Sequence, residues 1–147
     1  MPCNMPPGLR MAVISRAHRQ GMDARFEAVG LTAAQVRVMR DITDLEHRGV
    51  PEINQKDLEK RAHVTHPTMT GLLHRLESKG FVRTMPSPTD RRYKKIVSTE
   101  KARQFHQQVA SQDEAVFAAL CQGLTQQDID AFYRITEVML SNIPEPT

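Results

Sequence analysis

Cysteine is nearly absent from this 147-residue chain, which carries only Cys3 and Cys121. Two thiols are too few for a disulfide framework, so a reducing, cytoplasmic setting is the expectation and neither thiol is read as a redox switch. Long apolar runs are also missing: no stretch approaches the roughly 20 residues a membrane span needs, and no membrane partner is expected. Residues 1–9 lack the basic-then-apolar order of a secretory signal, and none is expected. The marks of catalysis are equally scarce, with no glycine-rich phosphate loop, no zinc-ligand spacing and no nucleophile beside an evident base. Pairing Cys121 with any histidine is only a combination of residue types, whereas catalysis needs convergent geometry. His63, His66 and His74 are close in sequence, but a helix turn would spread them and no carboxylate completes a clear metal set. The chain is therefore read as a non-enzyme with no cofactor and no metal.

What is present is ordinary for a globular domain, with 39% hydrophobic and 25% charged residues, enough to build one compact core. The net charge of +3 is modest but unevenly spread. Residues 54–95 hold ten Lys/Arg against four Asp/Glu, while the two flanks together hold ten against thirteen. A basic middle between acidic flanks is the footprint of a polyanion-binding segment, with a merely solvated basic surface as the alternative.

Helix stop and start signals divide the chain. Gly30, Gly49, Gly80 and Gly123 each follow a helical pattern, and Thr32 with Gln35 makes a capping box that Asn54 with Asp57 and Thr125 with Asp128 resemble. Apolar steps of three and four predict helices over 9–29, 33–48, 55–62, 66–79, 100–122 and 126–142. Residues 81–85 and 94–98 are short and β-compatible, separated by Pro86, Pro88 and a charged turn, and read as a hairpin. The expected fold is mainly α with a minor β part: six helices with a two- or three-stranded wing, in one domain over 1–147.

Residues 55–73 carry the most specific pattern. Leu58, Ala62, Val64, Met69, Leu72 and Leu73 are spaced for two helices packed across a tight turn. Thr65 caps the second helix, with Pro67 in its first turn, where a missing N–H costs little. Thr68, Thr70, His74 and Arg75 are then left on the outward face, with Thr65 and His66 at its start. Hydroxyls, an imidazole and a guanidinium suit the major groove, where Arg can take guanine in a bidentate contact. The alternative is an ordinary helical hairpin with a solvated face. Beside it, Arg83, Arg91, Arg92, Lys94 and Lys95 put five cations on or near the hairpin, within reach of phosphates or the narrow minor groove. Asp90, next to two arginines, is expected to fix the wing tip as an ion-pair partner, with a plain surface salt bridge as the alternative.

These residues resemble the MarR family of winged helix-turn-helix transcriptional regulators, over nearly the whole chain. The most specific part is Leu76-Glu77-Ser78-Lys79-Gly80-Phe81-Val82-Arg83 followed by Ser87-Pro88-Thr89-Asp90-Arg91-Arg92, similar to the family's recognition-helix end, first wing strand and wing tip. Leu31-Thr32-Ala33-Ala34-Gln35 resembles the start of its second helix. The resemblance implies a DNA-binding lobe over 31–98, and dimerisation helices over 9–29 and 99–143. It implies a homodimer on a pseudo-palindromic double-stranded operator, and repression relieved by a small aromatic or phenolic ligand, cysteine oxidation or metal. Five departures stand out. His63 sits where such units often have Gly. Glu59 replaces a small residue and is expected to loosen the helix crossing. Gly71 replaces a longer polar side chain, Ser98 a Leu and Ala102 a Gly.

The C-terminal third offers more apolar surface, including Phe117, Phe132, Ile135 and Val138, than two helices need for each other; a partner copy or a monomeric helical core could use it. Arg16 and His18 are candidates to line a pocket for an acidic phenolic effector, with a satisfied core or interface histidine as the alternative for His18. A protein–protein adaptor that uses the same fold without DNA is the remaining alternative.

Overall fold

The computed structural model describes residues 4–144, so Cys3 lies outside the described residues. The element order is α1 (Pro7–Ala28), α2 (Ala33–His47), α3 (Gln55–Ala62), α4 (His66–Ser78), β1 (Val82–Pro86), β2 (Lys94–Ser98), α5 (Glu100–Leu120) and α6 (Gln126–Ser141). Local chemistry accounts for the boundaries. α1 opens with proline and stops where Gly30 turns left-handed at φ +75°, letting the Leu31 N–H reach the Phe26 carbonyl at 2.9 Å. Thr32, Asn54, Thr65, Thr99 and Thr125 each cap the helix that follows, accepting a backbone N–H three residues on. Reciprocal capping boxes close at α2, α3 and α6, satisfying donors that a helix start otherwise orphans.

The wing is two-stranded and antiparallel, with Val82 opposite Ser98 and Pro86 opposite Lys94. Its third strand is reduced to one bridge, in which the Ile96 N–H donates to the Ile53 carbonyl at 2.8 Å. Phe81, expected to begin the first strand, precedes it instead and is buried. Its ring meets Phe105 of α5 edge-on at 5.7 Å, and Phe105 meets Phe26 of α1 at 6.2 Å. This aromatic chain joins the wing root to the two long helices, at about 0.5–1.5 kcal/mol per pair beyond area burial.

The core lies under α2, α3 and α4, where Met39, Ile42, Leu58, Met69 and Leu76 are essentially fully buried. Between α3 and α4 the chain reverses through His63 at φ 52°, ψ 45°, the left-handed conformation and the one positive φ at a non-glycine among the described residues. That geometry costs an L-residue about 1–2 kcal/mol. Ser98 is buried and bound at both ends to Glu46, its N–H donating at 2.9 Å and its hydroxyl at 2.5 Å. Ala102 is buried too. α6 is different from every other helix: none of its residues is buried.

Two substitutions test this account by chemical denaturation. Leu58→Ala should cost about 2–5 kcal/mol, the range for a buried leucine with limited collapse. His63→Gly should stabilise the fold by up to about 1 kcal/mol, the left-handed strain relieved less the added entropy of glycine. No gain would mean that the turn is not strained.

Candidate nucleic-acid interface

α4 turns Met69, Leu72, Leu73 and Leu76 inward, which fixes the opposite side as its free face. Thr65, His66, Thr68, Thr70, His74 and Arg75 are all exposed there. His66, Thr70 and His74 follow one another at steps of four, one above the other on the helix. Between them a Cβ on Gly71 would meet nothing within 4 Å, so the face is open at that point.

The hydroxyls are already oriented. Thr65 Oγ1 lies 2.9 Å from Thr68 Oγ1, and the Thr70 hydroxyl donates to the His66 carbonyl at 2.9 Å. Gln55, at the first position of α3, donates from Nε2 to Thr70 Oγ1 at 2.8 Å and to Glu59 Oε1 at 3.0 Å. Glu59 in turn lies 2.7 Å from His66 Nδ1. Glu59, expected to loosen the crossing of α3 and α4, does the reverse: its carboxylate bridges them. Burial pushes this carboxyl up, but hydrogen bonds from Gln55 and His66 and the nearby Lys56 charge outweigh it, leaving it below its usual range.

On the wing, Arg83, Arg91, Arg92 and Lys94 are exposed, as a phosphate-facing set must be. Asp90, expected as an ion-pair partner at the wing tip, pairs with one of its two neighbouring arginines. Its carboxylate accepts the Arg92 backbone N–H at 3.0 Å, Nε at 3.1 Å and Nη2 at 2.9 Å, and no Arg91 contact occurs among the described residues. Arg92 is thus held to its own loop, and Arg91 is the free cation at the tip.

The tip is anchored by a residue with no sequence signal, Glu52. One carboxylate oxygen accepts the Ser87 hydroxyl at 2.7 Å and the Thr89 hydroxyl at 2.8 Å. Buried Ser87 then accepts the N–H of Asp90 at 3.1 Å. The Ser87 and Thr89 hydroxyls hold the Glu52 carboxyl below its usual range, and Thr84, bound side chain and backbone, does the same for Glu77 of α4. Gln55 had a weak signal, its i,i+4 spacing from Glu59; Glu52 precedes the helix-turn-helix by a turn that only folding closes.

The predicted effector residues separate. His18 Nε2 pairs with Asp113 at 2.7 Å across α1 and α5, and His18 borders an open groove of about 670 Å³ with Met11, Ile14, Phe117, Cys121 and Tyr133. Arg16 does not line it. No group of three or more His, Cys, Asp or Glu that could hold a metal occurs among the described residues, and no helix among them is long and apolar enough to cross a membrane.

Because Glu52, Glu77 and Asp90 all hold their protons less tightly when folded, the unfolded chain binds protons first as pH falls. The stability they contribute is present above the ordinary carboxylate range and lost as pH falls from about 5 through the folded values. Urea titrations across that window should show a falling midpoint, and Glu52→Gln should flatten the fall. An unchanged slope in that variant would remove Glu52 from the wing's support.

Comparison with known proteins places this geometry. The MarR family profile matches residues 31–94. MepR, a transcription regulator of the Staphylococcus aureus multidrug efflux pump MepA, superposes with a TM-score of 0.78 at 21% identity, covering 95% of this chain and 100% of that one. Wild-type MarR from E. coli in its apo form gives 0.76 at 21% identity over 95% and 99%. A MepR variant bound to an oligodeoxyribonucleotide gives 0.71 at 21% identity over 96% and 100%. With its exposed α4 face and basic two-stranded wing, the chain shares the fold of these transcription regulators, and its residues 31–94 match the MarR family profile.

Proposed function

We propose that this chain is a homodimeric repressor that binds a pseudo-palindromic double-stranded operator and is released by a small aromatic or phenolic ligand. The reading rests first on the free face of α4, where His66, Thr68, Thr70, His74 and Arg75 stand exposed beside a wing carrying Arg83, Arg91 and Lys94. Side chains of this kind at the start and outer face of a helix suit base edges in the major groove, and cations on an adjacent hairpin suit phosphates or the minor groove. A MepR variant with the same fold was solved on an oligodeoxyribonucleotide.

Dimerisation is supported by the surface left uncovered. The chain exposes 10810 Å², against about 7,600 Å² for a compact monomer of its mass. Much of the surplus is apolar and lies on α1 and α6, including Ile14, Phe132, Ile135, Val138 and Leu140. A second copy would cover that face and place two recognition helices roughly 34 Å apart, one turn of DNA.

The effector seat is assigned to the His18 end of the groove between α1 and α5, where the groove borders the face that a second copy would cover. A ligand that favours one spacing of the two lobes shifts affinity only by its preference for that state.

Gel-shift titration against rising salt tests the DNA reading. Log affinity should fall linearly with log salt; Arg91→Ala should lower the slope by about one contact, and Arg75→Ala should relax sequence choice. Val138→Asp should give a monomer in sedimentation and lose tight operator binding. A salt-independent complex, or an operator bound normally by the monomer, would reject the proposal and favour an adaptor.

Release is checked by screening phenols and benzoates by thermal shift on the wild type and His18→Ala. A hit should raise the midpoint of the wild type only, and weaken its operator complex. A stabilising ligand that leaves the complex unchanged would rule release out.

A further inference from the structure

Glu59 lies at the base of the α4 face without itself being exposed, and its partner is the first side chain of the recognition helix. His66 Nδ1 is 2.7 Å from Glu59 Oε1. A carboxylate oxygen only accepts, so a lone pair on Nδ1 at that distance would face a charged oxygen; Nδ1 must carry the proton. Gln55 Nε2 is also close to Nδ1, at 3.1 Å, but it has two better acceptors in Thr70 Oγ1 at 2.8 Å and Glu59 Oε1 at 3.0 Å. Its two N–H groups are satisfied there, and the imidazole proton goes to Glu59.

A neutral imidazole bound in this way has its remaining lone pair on Nε2. The His66 side chain is 73% exposed against 18% for Glu59, and Nε2 makes no hydrogen bond among the described residues. The neighbouring Thr70 is polarised alike. Its proton is given to the His66 carbonyl, while Gln55 donates to its oxygen, so what remains outward is a lone pair. At His66 and Thr70 the outer face of α4 therefore presents acceptors.

We propose that Glu59 fixes the Nδ1–H tautomer of His66, so that Nε2 reads an operator base as an acceptor and selects an exocyclic amino group, cytosine N4 or adenine N6. In the major groove these amines are the base-edge donors, whereas guanine offers N7 and O6 and thymine offers O4, all acceptors that would meet the lone pair unfavourably. Glu59 is thus a positioning residue for specificity, one side chain removed from any base it affects. This assignment rests on the reading of α4 as the major-groove helix.

Two measurements test it. Long-range ¹H–¹⁵N correlation of the histidine rings in the free protein above neutral pH should show His66 with a protonated Nδ1 and a bare Nε2, and Glu59→Ala should move it toward the Nε2–H form. Selection from a random DNA pool should yield one adenine or cytosine position per half-site whose preference falls about fivefold to tenfold in His66→Ala, the loss of one hydrogen bond, and relaxes in Glu59→Ala and Glu59→Gln while other positions hold. For a selected adenine, replacing it by purine deoxyribonucleoside, which lacks the amine, should weaken the wild type and not His66→Ala. An Nε2–H majority in the wild type, or a specific binder indifferent to residue 66, overturns this proposal alone. A wild type that selects no sequence overturns the DNA reading and takes this proposal with it.

Discussion

The crossing of α3 and α4 is the constraint on which the rest depends. Leu58 and Met69 are fully buried in one core, and the two helices reach it only because the chain reverses through a left-handed His63. Once α4 has committed Met69, Leu72, Leu73 and Leu76 to that core, its opposite face has no protein to touch. Exposure of this polar face is thus a consequence of packing on the other side of the same helix. The polar bridge from Glu59 to His66 and Gln55 then sets how the start of that face is oriented.

Charge is distributed by a similar division of roles. The four acids within residues 54–95 all turn to structural tasks: Asp57 closes a capping box, Glu59 holds His66, Glu77 ties α4 to Thr84 of the wing, and Asp90 folds Arg92 back on its loop. With their acceptors satisfied internally, Arg75, Arg83, Arg91 and Lys94 remain exposed with no ion pair among the described residues. A modest net charge therefore becomes a locally basic surface, because the negative charges are spent inward at short range while the positive ones stay in solvent.

Helix boundaries and the hairpin were legible because their signals are local. Capping boxes at Thr32, Asn54 and Thr125 and the glycine at position 30 act within four residues, and apolar steps of three or four persist over whole helices. Of the candidate site, the polar and basic residues that stand exposed on α4 and the wing could be named by type from the sequence. The site's pairings could not: Asp90 choosing Arg92 over Arg91, Glu52 reaching Ser87 across 35 residues, and Arg16 turning away from the groove that His18 borders all depend on where distant segments come to rest.

The amino-acid order alone determined six helices, a basic hairpin and which side of α4 is apolar, since these follow from propensity and periodicity over a few residues. Tertiary structure decided which polar atoms meet, because a hydrogen bond is set by tenths of an ångström and by an approach direction that only the packed backbone supplies. It also showed that no residue of α6 is fully buried within its own chain. Periodicity marks an apolar face but not what covers it, and only the arrangement of the other elements reveals that most of this one stays exposed.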